Sequence, residues 1–293
     1  FFGRADGAFQ TDACTNTCVG YAVQENDFAG YGYGSLDEAT RILATHELFH
    51  AVQSSYDAGQ DGIFREGTAV WATEQLEPDL DDFERFVRGY LERPDRPLNR
   101  ASSGVVLDPF NYGAALFFQF LTERYDDPDL VRRLTERTED GSEGVADPLW
   151  FEALDALLQT DHGQTLSEAF VEFAVWNVFT GPRAARRPGF GYRAAEAYPG
   201  VAFEIVDLPF VDERPRHAQL SSRHYEARPA GRDTVEARLV GDTADMSLWL
   251  TVDGATEARV VSGSTVARAQ VEPDDLIVVT VVNPRLEGPR RRA

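Results

Sequence analysis

The sequence predicts an α+β protein in which a mainly helical part is followed by a small all-β, sandwich-like part. Three observations predict it. Between positions 35 and 179, apolar residues recur at three- and four-residue steps in segment after segment. Beyond Gly181-Pro182 and a stretch rich in Arg, Pro, Gly and Ala, the period shifts toward two in short, β-branched runs. The chain has 293 residues, 43% hydrophobic and 26% charged, which suits a packed core and is long enough for two domains. Their expected extents are 1–205 and 206–293.

Residues 1–34 are rich in Gly, Asn, Asp and aromatics, with one expected strand at 21–24. Cys14 and Cys18, four apart, cannot supply a four-ligand metal site. A local disulfide is expected, which favours an oxidising compartment; two free thiols are the alternative. From Ser35 onward, Leu36, Ala39, Ile42, Leu43, His46 and His50 keep helical spacing behind a Ser35/Asp37 start signal, predicting a helix over 35–57. Further helices are expected over 63–76, 80–91, 111–125, 128–137, 148–158 and 166–179, separated by Gly, Pro or Asp-rich breaks. Strands are expected over 201–206, 234–240, 247–252, 258–261 and 276–282, forming an antiparallel module of about 80 residues.

The net charge is −21, from 28 basic residues against 49 acidic ones, and every basic residue is Arg. Such a surface repels phosphate backbones and anionic membranes, so no nucleic-acid partner is expected. The one dense basic run, Arg290, Arg291 and Arg292, follows Gly288-Pro289 at the end of the chain and reads as a frayed tail. No apolar run approaches the ~20 residues of a membrane span. The opening Phe-Phe-Gly-Arg carries neither Met nor a leader pattern, so the chain reads as trimmed.

The segment that carries chemistry is Ala44-Thr45-His46-Glu47-Leu48-Phe49-His50-Ala51-Val52-Gln53. On a helix, a four-residue step puts both imidazoles on one face, where they can meet one ion. Glu47 then projects beside that ion, where a water would sit. Zinc needs a third protein ligand and an open position. A histidine at position 56 behind a glycine at 53 would supply one, but Gln53 and Tyr56 stand there. The better candidate is Glu66, opening the second helix after a turn containing Gly59, Asp61 and Gly62.

Taken together, His46 to Gln53 and the following Glu66-Gly67-Thr68-Ala69 resemble a gluzincin, a zinc peptidase with a His-Glu-x-x-His helix and a glutamate ligand on the next helix. The wording HELFHAVQ and EGTAVW is similar to that of secreted bacterial metalloproteases, over about residues 20–125. The resemblance implies a zincin-like catalytic domain, Zn²⁺ held by His46, His50 and Glu66, and Glu47 as general base. It also implies protein or peptide substrates and an extracellular setting. Two departures stand out. The loop from His50 to Glu66 is shorter than in thermolysin-like members, and Val70 stands where those enzymes place an acidic residue, leaving Glu74 or a carbonyl to orient an imidazole. The segment Pro109 to Phe117 resembles an aminopeptidase-like one in which Tyr precedes Gly, so Tyr112 is a candidate oxyanion donor, with packing as its alternative role and Asn111 as an alternative donor.

Two other functions fit the same residues. Only 45 residues precede His46, fewer than an upper sheet usually needs, which suits a zinc-stabilised binding or adhesion module without activity. The ligand set would also support a zinc hydrolase of a non-peptide bond. His162, His217 and His224 read as surface or satisfied polar positions, and Trp71, Trp150, Trp176 and Trp249 as core anchors.

Overall fold

A computed structural model describes residues 6–15, 17–80, 82–101, 107–214, 217–241, 245–254, 257–263 and 265–286. The run Arg290 to Arg292 lies outside the described residues. The protein is mixed α+β, with several small sheets. Its contacts divide it into two units, the described residues of Phe1–Tyr90 with Ala101–His162, and those of Leu91–Arg100 with Gly163–Ala293.

The first unit opens on a hairpin of β1 (Gly7–Cys14) and β2 (Cys18–Gln24), antiparallel with Phe9 opposite Ala22 and Cys14 opposite Cys18. Cys14 and Cys18 are disulfide-bonded across its tip. The expected strand at 21–24 is the second half of β2. The first strand escapes a reading for alternation because its outer half is exposed on both faces and a bulge near Thr11 and Ala13 breaks its register.

The hairpin lies against α1 (Leu36–Tyr56). Ser35 caps this helix by accepting from the Glu38 N–H at 3.1 Å, while Glu38 accepts from the Gly34 N–H at 3.0 Å. A short turn leads to α2 (Gly62–Leu76), capped by Asp61, whose side chain accepts from the N–H groups of Ile63 and Phe64 at 3.0 and 3.1 Å. Helices α3 (Asp82–Leu91), α4 (Pro109–Gly113), α5 (Ala115–Tyr125), α6 (Leu130–Arg137) and α7 (Trp150–His162) follow. The single helix expected over 111–125 is thus two, interrupted at Ala114. Asp108 starts the first with a cap and Pro109 occupies its first turn, where no N–H is needed. The core of the unit is aromatic: Phe64 of α2 lies 6.1 Å from Phe118 of α5 and 6.0 Å from Trp150 of α7, ring centre to ring centre. This packing fixes α2 against α5 and α7.

The second unit contains α8 (Leu166–Val178), started by a reciprocal cap between Thr165 and Glu168. A five-stranded sheet follows in the order β3 (Glu204–Ile205), β4 (Ser221–Ala227), β9 (Leu276–Asn283), β6 (Ser247–Asp253), β7 (Ala258–Gly263). All its pairs are antiparallel except the short β3–β4 pair. A separate ladder joins β5 (Asp233–Arg238) to β8 (Val266–Val271). Alternation along the strands separates two apolar layers. Leu248, Leu250, Val252 and Ile277 face Ala267, Ala269 and Val271 of β8, whereas Val278 and Ala258 face Val175, Val178 and Phe179 of α8 and its end. Because α8 packs on this sheet, the expected boundary at 205 falls inside the second unit. The sequence reading missed β4, a strand whose buried positions include Ser221, Ser222 and His224. It also missed β8, whose inward residues include two alanines. Among the described residues, no helix is long and apolar enough to cross a membrane.

Candidate metal centre

All the residues of this site belong to the first unit. Helix α1 presents His46, Glu47 and His50 on its buried side, at 7%, 5% and 5% exposure. The four-residue step stacks the two imidazoles one turn apart, ring centres 4.7 Å from each other and planes nearly perpendicular. The Asp61 cap and the aromatic core set the register of α2, so its second turn delivers Glu66 to the same point. Glu66 Oε2 lies 3.3 Å from His46 Nε2 and 3.4 Å from His50 Nε2. One ligand atom from each residue falls within 4.8 Å of the others, so this cluster could hold a metal ion.

The donor set fits such an ion on two grounds. Bonds of ~2.0–2.1 Å arranged tetrahedrally separate neighbouring donors by about 3.3 Å, the spacing Glu66 keeps from each imidazole. Glu66 and the buried Glu47 also bring two acidic groups beside the imidazoles, a charge that a bound cation would offset. Burial alone would raise the Glu66 carboxyl, but the hydrogen bonds and charge of the two imidazoles hold it well below the ordinary carboxylate range. Burial would likewise lower His50, yet Glu66, Gln53 and Glu47 together carry it above its ordinary value.

Glu47 turns toward the hairpin, where the Phe9 backbone N–H donates to it and Gly7 lies beside Oε1. Its other oxygen, Oε2, is buried and has no hydrogen-bond partner among the described residues. Burial raises the Glu47 carboxyl, with His46 and His50 opposing the rise. A carboxylate with one oxygen anchored and one unpartnered beside a ligand cluster can take up a proton there.

Tyr112, on α4, is brought to the site as well. Its ring stacks on His46 with centres 5.9 Å apart and on Phe86 at 5.4 Å, and its hydroxyl hydrogen-bonds Glu66. Burial, then the charge of Glu66, lifts the phenol above its ordinary value, so it is a proton-bearing donor at neutral pH. Asn111 is buried beside Gly62 at the start of α2, and its Oδ1 has no partner among the described residues. The other histidines lie elsewhere in the fold. His162 stacks on Tyr125, His224 bonds Ser222 and Thr280, and His217 is part of the second unit.

No family model, curated protein or solved structure matches this chain. The metal reading therefore rests on the geometry above.

Two groups at the site were not legible as functional residues. Gln53 receives the His50 ring, its Oε1 lying 2.7 Å from Nδ1; this is the orienting role for which the sequence offered Glu74 or a carbonyl. The only advance signal was its place three residues after His50 on the same helix face. Asp82 is the second. Burial raises its carboxyl to about 6 against the opposing charges of Arg85, 3.1 Å away, and of His46.

Proposed function

We propose that the protein is a zinc-dependent peptidase of gluzincin type, with His46, His50 and Glu66 as ligands and Glu47 as general base. The observation that carries this reading is the approach of one Glu66 oxygen to both imidazole Nε2 atoms. Zinc fits a set of two neutral imidazoles and one carboxylate, and when bound it acidifies a water and polarises a carbonyl. Glu47 takes a proton at its unpartnered Oε2 and returns it to the departing amine. Tyr112 donates its hydroxyl hydrogen to the oxygen that gains charge, exchanging its bond to Glu66 for one to the substrate. The Phe9 N–H keeps Glu47 aimed while the proton is in transit. The disulfide in β1–β2 supports an extracellular setting.

Metal analysis combined with a peptide-library digest tests the proposal. Wild type should carry one zinc and cleave, and Glu47→Gln should keep the zinc and cleave nothing. Undiminished cleavage by that variant would refute the base. A second reading, a zinc-stabilised binding module, draws support from the sheet over α1, which among the described residues has two strands. Zinc binding without turnover of any protein substrate would favour it. Hydrolysis confined to esters or other non-peptide bonds would point to the third class.

A further inference from the structure

We infer that Gln53 is a positioning residue of the metal centre, holding His50 as the Nδ1–H tautomer and tying it to the helical turn that carries Glu66. The inference rests on the metal reading of His46, His50 and Glu66 and adds a residue to it.

The hydrogens can be assigned by elimination. Thr68 Oγ1 lies 2.7 Å from the Phe64 carbonyl, which only accepts, so the single hydroxyl hydrogen points there. The Thr68 oxygen must then accept from Gln53 Nε2, 2.7 Å away. The second hydrogen on Nε2 goes to the Arg65 carbonyl at 2.8 Å, again a pure acceptor. Turning the amide over would set its oxygen against that carbonyl, so the orientation of Gln53 is forced. Its Oε1 therefore faces His50 Nδ1 at 2.7 Å, and since an amide oxygen cannot donate, the ring proton resides on Nδ1. Nε2 faces Glu66, 3.4 Å away, and in the neutral ring it is the nitrogen left with a lone pair for a metal.

Burial makes this chain of bonds decisive. Gln53 is 1% exposed and Thr68 fully buried, so water does not compete for these groups. Arg65 and Thr68 flank Glu66 on α2, and the amide thus fixes two ligands at once, one through the ring it orients and one through the turn it grips.

Replacing Gln53 by Met keeps length and apolar bulk but removes every hydrogen bond. The test compares wild type, Gln53→Met and Thr68→Val in zinc competition against a chelator, and in long-range proton–nitrogen NMR of the metal-free proteins at a pH where the ring is neutral. Wild type should show His50 protonated on Nδ1. Gln53→Met should show mixed tautomers and lose about 10–100-fold in zinc affinity while keeping the wild-type circular dichroism. Thr68→Val, in which the Arg65 carbonyl still holds the amide, should keep the tautomer and lose less. A wild-type His50 protonated on Nε2 would overturn the inference, even if Gln53→Met failed to fold. So would unchanged zinc affinity in a folded Gln53→Met, with the metal reading intact. Failure of wild type to bind zinc at all would remove that reading and the inference with it.

Discussion

A carboxylate oxygen 3.3 and 3.4 Å from two imidazole nitrogens is stable only if something compensates the buried charge, and its replacement is informative. Glu66→Gln keeps the shape and removes the charge, so the protein should purify folded but without stoichiometric zinc, as metal analysis would show. Tyr112 makes a sharper case because its hydroxyl touches Glu66 and its ring covers His46. If the hydroxyl serves as donor to the developing oxyanion, Tyr112→Phe should keep its zinc and lose about 10²–10³-fold in kcat with little change in KM. Loss of zinc with unchanged kcat per bound metal would instead make it a support for Glu66. His46, Glu47 and His50 were legible because helical spacing sets their relation, and Glu66 because a short turn and the resemblance of the segment around it place it on the next helix. Gln53 and the Phe9 N–H were not. An amide at i+3 has no pattern of its own, and a backbone donor from a strand 38 positions away leaves no trace in local sequence.

At the level of elements, Tyr112 depends on how α4 meets α3. A Cβ on Gly89 would fall 1.9 Å from the Pro109 carbonyl oxygen, and one on Gly113 would fall 2.3 Å from the Tyr90 nitrogen. Neither obstacle is a side chain that can swing aside. Gly89→Ala should therefore force the two helices apart, at a cost of about 1–3 kcal/mol read from the denaturant midpoint. Because α4 carries Tyr112, kcat should fall further than the change in folded fraction explains; unaltered stability and activity would mean that the close approach is not required. The helices were legible because apolar residues recur along them at helical steps between clear Gly, Pro or Asp breaks, even where, as in α2 and α8, burial extends all round. The sequence reading joined α4 to α5 because the one glycine at the break, Gly113, lies inside a run whose apolar spacing continues on both sides of Ala114. It passed over β4 because that strand buries serines and a histidine, whose inward-facing positions carry no apolar signal.

For the molecule as a whole, those buried polar groups set a response to acid. Burial holds His224 down to about 3, and burial followed by the charge of Arg223 holds His217 down to about 4. Unfolded, each would titrate near 6.5. A folded value below the unfolded one means that the unfolded chain binds the proton first. The stability these residues contribute is complete above about pH 6.5 and is lost as pH falls toward the folded values, with a slope of about 1.4 kcal/mol per pH unit for each histidine. Asp82 works the other way: raised to about 6, it favours the folded state as pH falls from there toward the ordinary carboxylate value. The net slope is thus a difference, and a variant isolates its parts. His217 has both ring nitrogens buried without partners among the described residues, so an uncharged substitute forfeits no hydrogen bond from its ring. Urea unfolding of wild type and His217→Asn at pH 7 and pH 5 should show the variant losing less stability across that interval, by about 2 kcal/mol. Equal losses would mean that His217 is open to water and titrates in the folded protein much as it does in the unfolded chain.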